Sequence, residues 1–282
     1  MEISYKEYKP SLALQPYIES YWCRAFNGLT DTEVSPLQRC LPLGMSQIII
    51  HTSKHLCHAH LNNEWEQLPN AFMVGVFSEA VSWKATGSGI CFGINLKPES
   101  MMHLFKIPVS GLFNNHTDLQ SFLGKKASVL VDKMYGVNCP LTLIKIAEEF
   151  LMQQLRNMRA ERSYIDEATK LIRQSKGNIT VEQLSKDLYI SERQLQRAFK
   201  DTLGTSPKTY TRIIRFRNAF QYVQQSDKEA LSWTDVSYNF GYADQAHFIR
   251  DFKEFTGISP ASITEKSKQI YQFSNEPTLA YS

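Results

Sequence analysis

No stretch of this 282-residue chain approaches the ~18 uncharged apolar residues that a membrane helix needs, so no membrane span is expected. The opening segment, Met1-Glu2-Ile3-Ser4-Tyr5-Lys6, has no basic run leading into an apolar one, which reads as the absence of a signal peptide and as a cytoplasmic chain. The five cysteines (Cys23, Cys40, Cys57, Cys91 and Cys139) are scattered and never form a Cys-x-x-Cys pair, so they read as reduced thiols. Neither sign of charge predominates: 31 Lys and Arg against 28 Asp and Glu leave +3, too little to name a partner. Catalytic signatures are missing too, with no nucleophile elbow, phosphate loop, His-Glu-x-x-His or dinucleotide fingerprint. Glu148 and Glu149, like Asp166 and Glu167, are sequence neighbours and do not face each other as an acid/base pair. No enzyme activity, cofactor or metal is indicated.

What is present divides into two. Up to about residue 125, short apolar runs are broken by Gly, Pro and Asn: Gln47 to Ile50, Ala71 to Phe77, Ala80 to Trp83 and Ile90 to Leu96 all have strand length and β-formers. Beyond about Thr117 the spacing turns helical. Ile144, Ala147, Leu151, Leu155 and Met158 make one apolar stripe on a helix from about Leu141 to Met158, either packed on its own domain or serving as a dimer seam. The polar segment from Asn157 to Ser163 is the natural boundary. The expected fold is α+β: a mostly β N-terminal domain ending in helices (1–156), an all-α domain (157–270) and a flexible tail (271–282).

The helical half repeats itself. Phe199-Lys200-Asp201-Thr202-Leu203-Gly204-Thr205-Ser206-Pro207 returns as Phe252-Lys253-Glu254-Phe255-Thr256-Gly257-Ile258-Ser259-Pro260, with an arginine two positions before each Phe. A short amphipathic stretch precedes each copy, Val181 to Leu188 and Thr234 to Phe240. The order helix, turn, helix therefore occurs twice. Gly177-Asn178 stops a helix from Tyr164 to Ser175, Thr180 caps the next in a capping box with Gln183, and Ser191 caps the one after. Pro207 starts a long helix to Gln225 that ties the two units together. In the second unit Gly241 supplies a turn needing positive φ and Tyr242 plugs the core.

The helix after Ser191 leaves Arg193, Gln194, Gln196, Arg197 and Lys200 outward; its counterpart from Asp244 to Thr256 leaves Gln245, Ala246, His247, Ile249, Arg250 and Lys253. From Arg193 to Arg217 there are seven basic residues and one acid, Asp201, which reads as a local basic surface. Gly241-Tyr242-Ala243-Asp244-Gln245-Ala246-His247-Phe248-Ile249-Arg250-Asp251-Phe252-Lys253, then Gly257-Ile258-Ser259-Pro260, and Arg215-Phe216-Arg217-Asn218-Ala219 in the long helix, resemble the DNA-binding domain of the AraC/XylS transcription regulators from about Tyr164 to Lys266. The resemblance implies two helix-turn-helix units joined by a linker helix, reading successive major grooves of double-stranded DNA through those outward side chains. Arg suits guanine and Gln suits adenine, at about 1–3 kcal/mol per bidentate pair, whereas Ala246 and Ile249 offer only thymine methyl contacts. The first unit is thus expected to dominate base reading and the second to anchor.

Further upstream, Tyr17 to Trp22, Cys40 to Gly44, Val74-Gly75 and Phe92 to Pro98 resemble a sensor-type domain found ahead of this DNA-binding unit in many bacterial regulators. Where relatives tend to carry an acid after the proline, this chain has Leu43. Trp22, Trp65, Trp83, Phe72, Phe77 and Phe92 either line an effector pocket or are plain core. His51, His55, His58 and His60, with Cys57 among them, are weighed as zinc or copper ligands and read instead as a surface hairpin. The function expected is a sequence-specific transcription regulator modulated by an effector or partner, with RNA polymerase and a second copy as further partners. The alternatives are a binding module that has lost DNA affinity and a β-barrel enzyme whose histidines hold a metal.

Overall fold

The computed structural model describes residues 2–30, 32–54, 56–61, 63–157, 163–226 and 231–262, and the backbone of 278–279. Strands β1 (Glu2–Lys9), β2 (Ile18–Asn27), β4 (Ser46–His51), β7 (Ala71–Val74), β9 (Gly89–Leu96), β10 (His116–Asp118) and β11 (Thr278–Leu279) form one sheet in the order β10-β7-β4-β9-β2-β1-β11. A second sheet runs β3-β8-β5-β6, from β3 (Gln38–Cys40), β8 (Val81–Thr86), β5 (Leu56–Leu61) and β6 (Glu64–Gln67). Of the tail expected to be flexible, Thr278–Leu279 pairs parallel with Tyr8 and Lys9 of β1; 271–277 and 280–282 lie outside the described residues.

The period-2 alternation of the large sheet assigns its two faces. Cross-strand rows such as Tyr8–Tyr21–Ile94–Ile48–Met73 point outward. They are covered by α1 (Ser100–Phe105), α2 (Leu119–Leu123), α3 (Lys125–Met134) and α4 (Pro140–Arg156), which close one apolar core. The stripe on α4 belongs to this core: Ile144, Ala147 and Leu151 are fully buried in their own half, and Met158 lies outside the described residues. The alternate rows, Tyr5–Arg24–Cys91–His51 and Glu7–Trp22–Gly93–Ile49–Phe72, face the second sheet. A Cβ on Gly93 would sit 1.9 Å from the Trp22 ring, so only glycine lets that indole lie across β9.

The C-terminal half is all helical: α5 (Tyr164–Gln174), α6 (Val181–Asp187), α7 (Glu192–Leu203), α8 (Pro207–Gln225), α9 (Trp233–Asn239) and α10 (Gln245–Thr256). α6 and α7 form the first helix-turn-helix unit and α9 and α10 the second, each over its own core and both sharing α8. As the turn chemistry requires, Gly241 has φ 68°, and Tyr242 is buried in the second core. Thr180 does cap α6, accepting from Gln183 N–H at 3.1 Å, but the capping box is not formed, because the Gln183 amide turns to Asp187 at 2.6 Å.

The halves share structure. Leu41 and Val76 of the β half are buried in the core that holds Phe216, Phe220 and Phe252. Arg173 of α5 forks onto Glu99 at 3.1 and 2.5 Å, Arg217 of α8 reaches Glu19 at 2.6 Å, and the Tyr210 hydroxyl donates to Gly44 O at 3.3 Å. Burial pushes the Tyr210 phenol up to about 12.

Candidate functional site

α7 is built to present its outer face. Ser191 caps it reciprocally with Gln194, Gly204 ends it in the left-handed region at φ 75°, and Leu195, Phe199 and Leu203 fix its inner face in the first core. Arg193, Gln194, Gln196, Arg197 and Lys200 are all exposed. They are not equally available. The Gln194 side-chain oxygen accepts from Ser191 N–H at 2.9 Å and from its hydroxyl at 2.8 Å, so the amide is committed to the cap. Lys200 donates to Gly204 O at 3.2 Å. Arg197 makes only a solvated ion pair with Asp201 at 3.5 Å, of a kind worth about 0–1 kcal/mol and easily exchanged. Arg193 and Gln196 have no hydrogen-bond or ion-pair partner among the described residues.

α10 repeats the design with a different cap. Asp244 accepts from His247 N–H at 2.6 Å, Gly257 ends the helix at φ 77°, and Phe248, Phe252 and Phe255 enter the second core. Gln245, Ala246, Arg250 and Lys253 are exposed; His247 and Ile249 are half-buried. Ile249 packs against the core, while the His247 ring stands edge-on to Tyr242 at 5.2 Å. The Gln245 side-chain oxygen accepts from the Thr234 hydroxyl at 3.1 Å.

The basic run of Arg193 to Arg217 is not one surface. Arg212 bonds Asp251 at 2.8 Å and Glu254 at 2.7 Å, Arg215 donates to Gly177 O from Nε at 3.0 Å and from Nη2 at 2.9 Å, and Arg217 is held by Glu19. These three guanidiniums clamp α8 to α10, to the α5–α6 turn and to the β half. The reason is geometric: α8 is covered on most sides, so its charges must be paired.

Between the two sheets lies an open cleft whose empty space, open solvent included, comes to about 1020 Å³. Trp22, Phe72, Phe77 and Trp83 line it, so these aromatics are pocket wall; Phe92 is core on the opposite face and Trp65 is largely exposed beneath Lys84, 4.4 Å from the ring. The histidines are not one cluster. His51 is buried in the cavity wall, His58 and His60 lie on β5 with His60 edge-on to Trp65, and His55 is outside the described residues. Among the described residues no three His, Cys, Asp or Glu come together as metal ligands. Sequence reasoning missed Tyr5, Glu7, Arg24 and Arg39 of this wall. The available signal was a charge, Arg24, inside the otherwise apolar run from Tyr21 to Phe26.

The β half touches both helix-turn-helix units at the C-terminal ends of α7 and α10. Val109 N–H donates to Thr202 O at 3.1 Å, and Arg39, itself in the cavity wall, donates to Thr256 O at 2.6 Å. A third contact is titratable: His103 of α1 meets Asp166 of α5 at 2.8 Å, with Tyr17 against its ring and Glu99 and Lys106 nearby. The hydrogen bond to Asp166 raises the His103 pKa above its ordinary value. The stabilisation is therefore complete below about 6.5 and is lost as pH rises through the raised value. In thermal melts, His103→Gln should lower stability by about 1 kcal/mol at acid pH and converge on the wild type once pH has risen past the raised value. A constant gap across the range would refute the ion pair.

Comparison with known proteins agrees with this architecture. Residues 184–266 match a family described as a helix-turn-helix domain, and residues 6–118 match a domain of unknown function. The probable transcription factor PqrA of Proteus vulgaris is 30% identical over 92 residues, covering 33% of this chain and 73% of that protein. The Msm operon regulatory protein of Streptococcus mutans is 26% identical over 126 residues, 44% of each chain. A solved AraC-type DNA-binding regulator from Chromobacterium violaceum aligns at 26% identity over 39% of this chain and 93% of its own, with a TM-score of 0.33. The chain spans less than half the length of the curated relatives first matched. Among the described residues no helix is long and apolar enough to cross a membrane. With the doubled helix-turn-helix unit, its linker helix and 30% identity over 73% of PqrA, the chain belongs to the AraC-type helix-turn-helix transcription regulators.

Proposed function

We propose that this protein binds specific double-stranded DNA through α7 and α10, and that occupancy of the β half controls that binding. The observation that carries the reading is that the outer faces of both helices stay exposed although the β half packs against both units. Arg193, Gln196 and Arg197 read bases from the first unit. Lys200, Gln245, Arg250 and Lys253 hold phosphates and orient the frame, Ala246 and Ile249 touch thymine methyls, and Gln194 and His247 fix local geometry first and contact DNA second. Control is by population shift: a small-molecule effector, or a protein such as RNA polymerase, favours one arrangement of the two units. The α4 stripe is spent inside its own half, so a homodimer would use another face.

Selecting sites from random duplex DNA with the full chain should enrich two short elements about 10 bp apart. Affinity for the enriched site should fall steeply with salt, as phosphate contacts demand. No enrichment together with a shallow salt slope would favour the alternative, a module that binds an effector or partner without reading DNA. On the selected site Arg197→Ala should cost about 1–3 kcal/mol and relax base preference, while Arg250→Ala should weaken specific and scrambled DNA alike. A larger loss of specificity from Arg250→Ala would reverse the assignment of roles.

A further inference from the structure

Arg24 is a buried charge with no ion-pair partner among the described residues. It lies on β2 in the cavity wall, 5% exposed, with its guanidinium 5.0 Å from the rings of both Tyr5 and Trp83. One donor, Nη1, reaches the Gln38 side-chain oxygen at 3.1 Å. Nε is buried and has no hydrogen-bond partner, and no carboxylate forms an ion pair with this guanidinium among the described residues. A cation in such a place is expensive unless an anion joins it.

Several other polar groups of the wall are already engaged, although His116 Nδ1, also in the wall, is buried with no hydrogen-bond partner among the described residues. Asn95 accepts from Trp22 Nε1 at 3.1 Å and from Gln47 at 2.6 Å and donates to Ser20 at 2.9 Å, so its oxygen is saturated and one of its two amide N–H groups is used. Glu7 takes the Tyr5 hydroxyl as a hydrogen-bond donor and sets a carboxyl group on the same floor. Most of the remaining surface is apolar: Leu61, Leu68, Phe72, Val74 and Phe77 among others.

We propose that this cavity binds a small apolar or aromatic monocarboxylate, its carboxylate seated on Arg24 and its body against the apolar wall. Planarity favours this class, because a guanidinium flanked by two aromatic faces offers its edge to a coplanar two-oxygen acceptor. Charge favours a monoanion, because Glu7 on the same floor opposes a dianion such as a phosphate ester and the apolar wall cannot solvate it. Only the effect of this ligand on DNA rests on the proposed regulatory function; its binding does not. Arg39 and Leu41 each line the cavity and also touch the second unit, so that effect would reach α10 through them.

Calorimetry on the full chain tests the class. The probes are benzoate, phenylacetate, 2-naphthoate and indole-3-acetate, each beside its primary amide, with phenyl phosphate as the dianion. At least one acid should bind with a Kd below about 1 mM and at least ten-fold tighter than its amide, and phenyl phosphate should bind more weakly than the acids. Arg24→Met should abolish the acid-to-amide preference while the amide binds as before. Arg24→Lys, which keeps the charge without the fork, should retain the preference at reduced strength and decides the matter if Arg24→Met does not fold. No binding by any acid, equal binding of acid and amide, or preference for phenyl phosphate would each overturn the assignment. Site selection on DNA is unaffected by any of these results, so the two proposals fail separately.

Discussion

Arg173→Met should destabilise the protein by about 3–5 kcal/mol, because it strands Glu99, only 5% exposed, without its guanidinium. Desolvation opposes the charge on Arg173, but Tyr210 and Glu99 more than offset it and its pKa is raised. The fork joins the start of α1 to the end of α5, so the loss should appear as early melting of the first helix-turn-helix unit away from the β half. The double variant Arg173→Met with Glu99→Gln separates the pair's net worth from the penalty of a stranded charge, and most of the lost stability should return in it. Chemical denaturation of the three chains is the measurement. A double variant as unstable as Arg173→Met alone would show that the pair contributes net stability rather than specifying how the halves meet.

The second large effect is expected in the core of the other unit. Phe216 on α8 is fully buried and lies 4.8 Å from Phe255, 5.7 Å from Phe252 and 5.7 Å from Phe220, centroid to centroid. Phe216→Ala removes the ring that three others pack against and should cost about 3–5 kcal/mol. The consequence for DNA should be polar along the site. Footprinting should show the element read by α7 still protected and the element read by α10 lost, because the first core is made of other residues, Leu195, Phe199 and Tyr210 among them. Equal loss of both elements would mean that the two units fold as one.

The helical half was legible because its signals are local. Apolar spacings of three and four, Ser191 and Pro207 at helix starts and Gly204 and Gly257 at helix ends each act within one turn, and Pro207–Gln225 runs as expected. The β half depended on partners far away in sequence. β1 reads Glu-Ile-Ser-Tyr-Lys-Glu-Tyr-Lys, which resembles a solvated segment until β2 pairs with it and turns Tyr5 and Glu7 inward. The same limit explains the arginines of α8. The sequence displays their charge, but Glu19 lies 198 positions from Arg217 and Asp251 lies 39 from Arg212, so these arginines looked like part of a basic surface and form an internal clamp, while the basic residues of α7 stay exposed. Gln194 is a different case: its place on the outer face was legible, and so was the Ser-x-x-Gln spacing by which Ser191 engages its side chain, but which of the two uses prevails in the free protein is seen only in the geometry.

The glycine that closes each repeat serves two masters. At Gly204 a side chain would strike the Ser110 carbonyl at 2.4 Å, and at Gly257 it would strike Arg39 at 2.7 Å, so the last turns of α7 and α10 are also the seats on which the β half rests. The opposite ends and outer faces remain clear. A β half that grips two rods by their tails cannot veil their working faces; it can only change the angle at which they are held. On the proposed reading, regulation by the β half would be a matter of alignment rather than of masking.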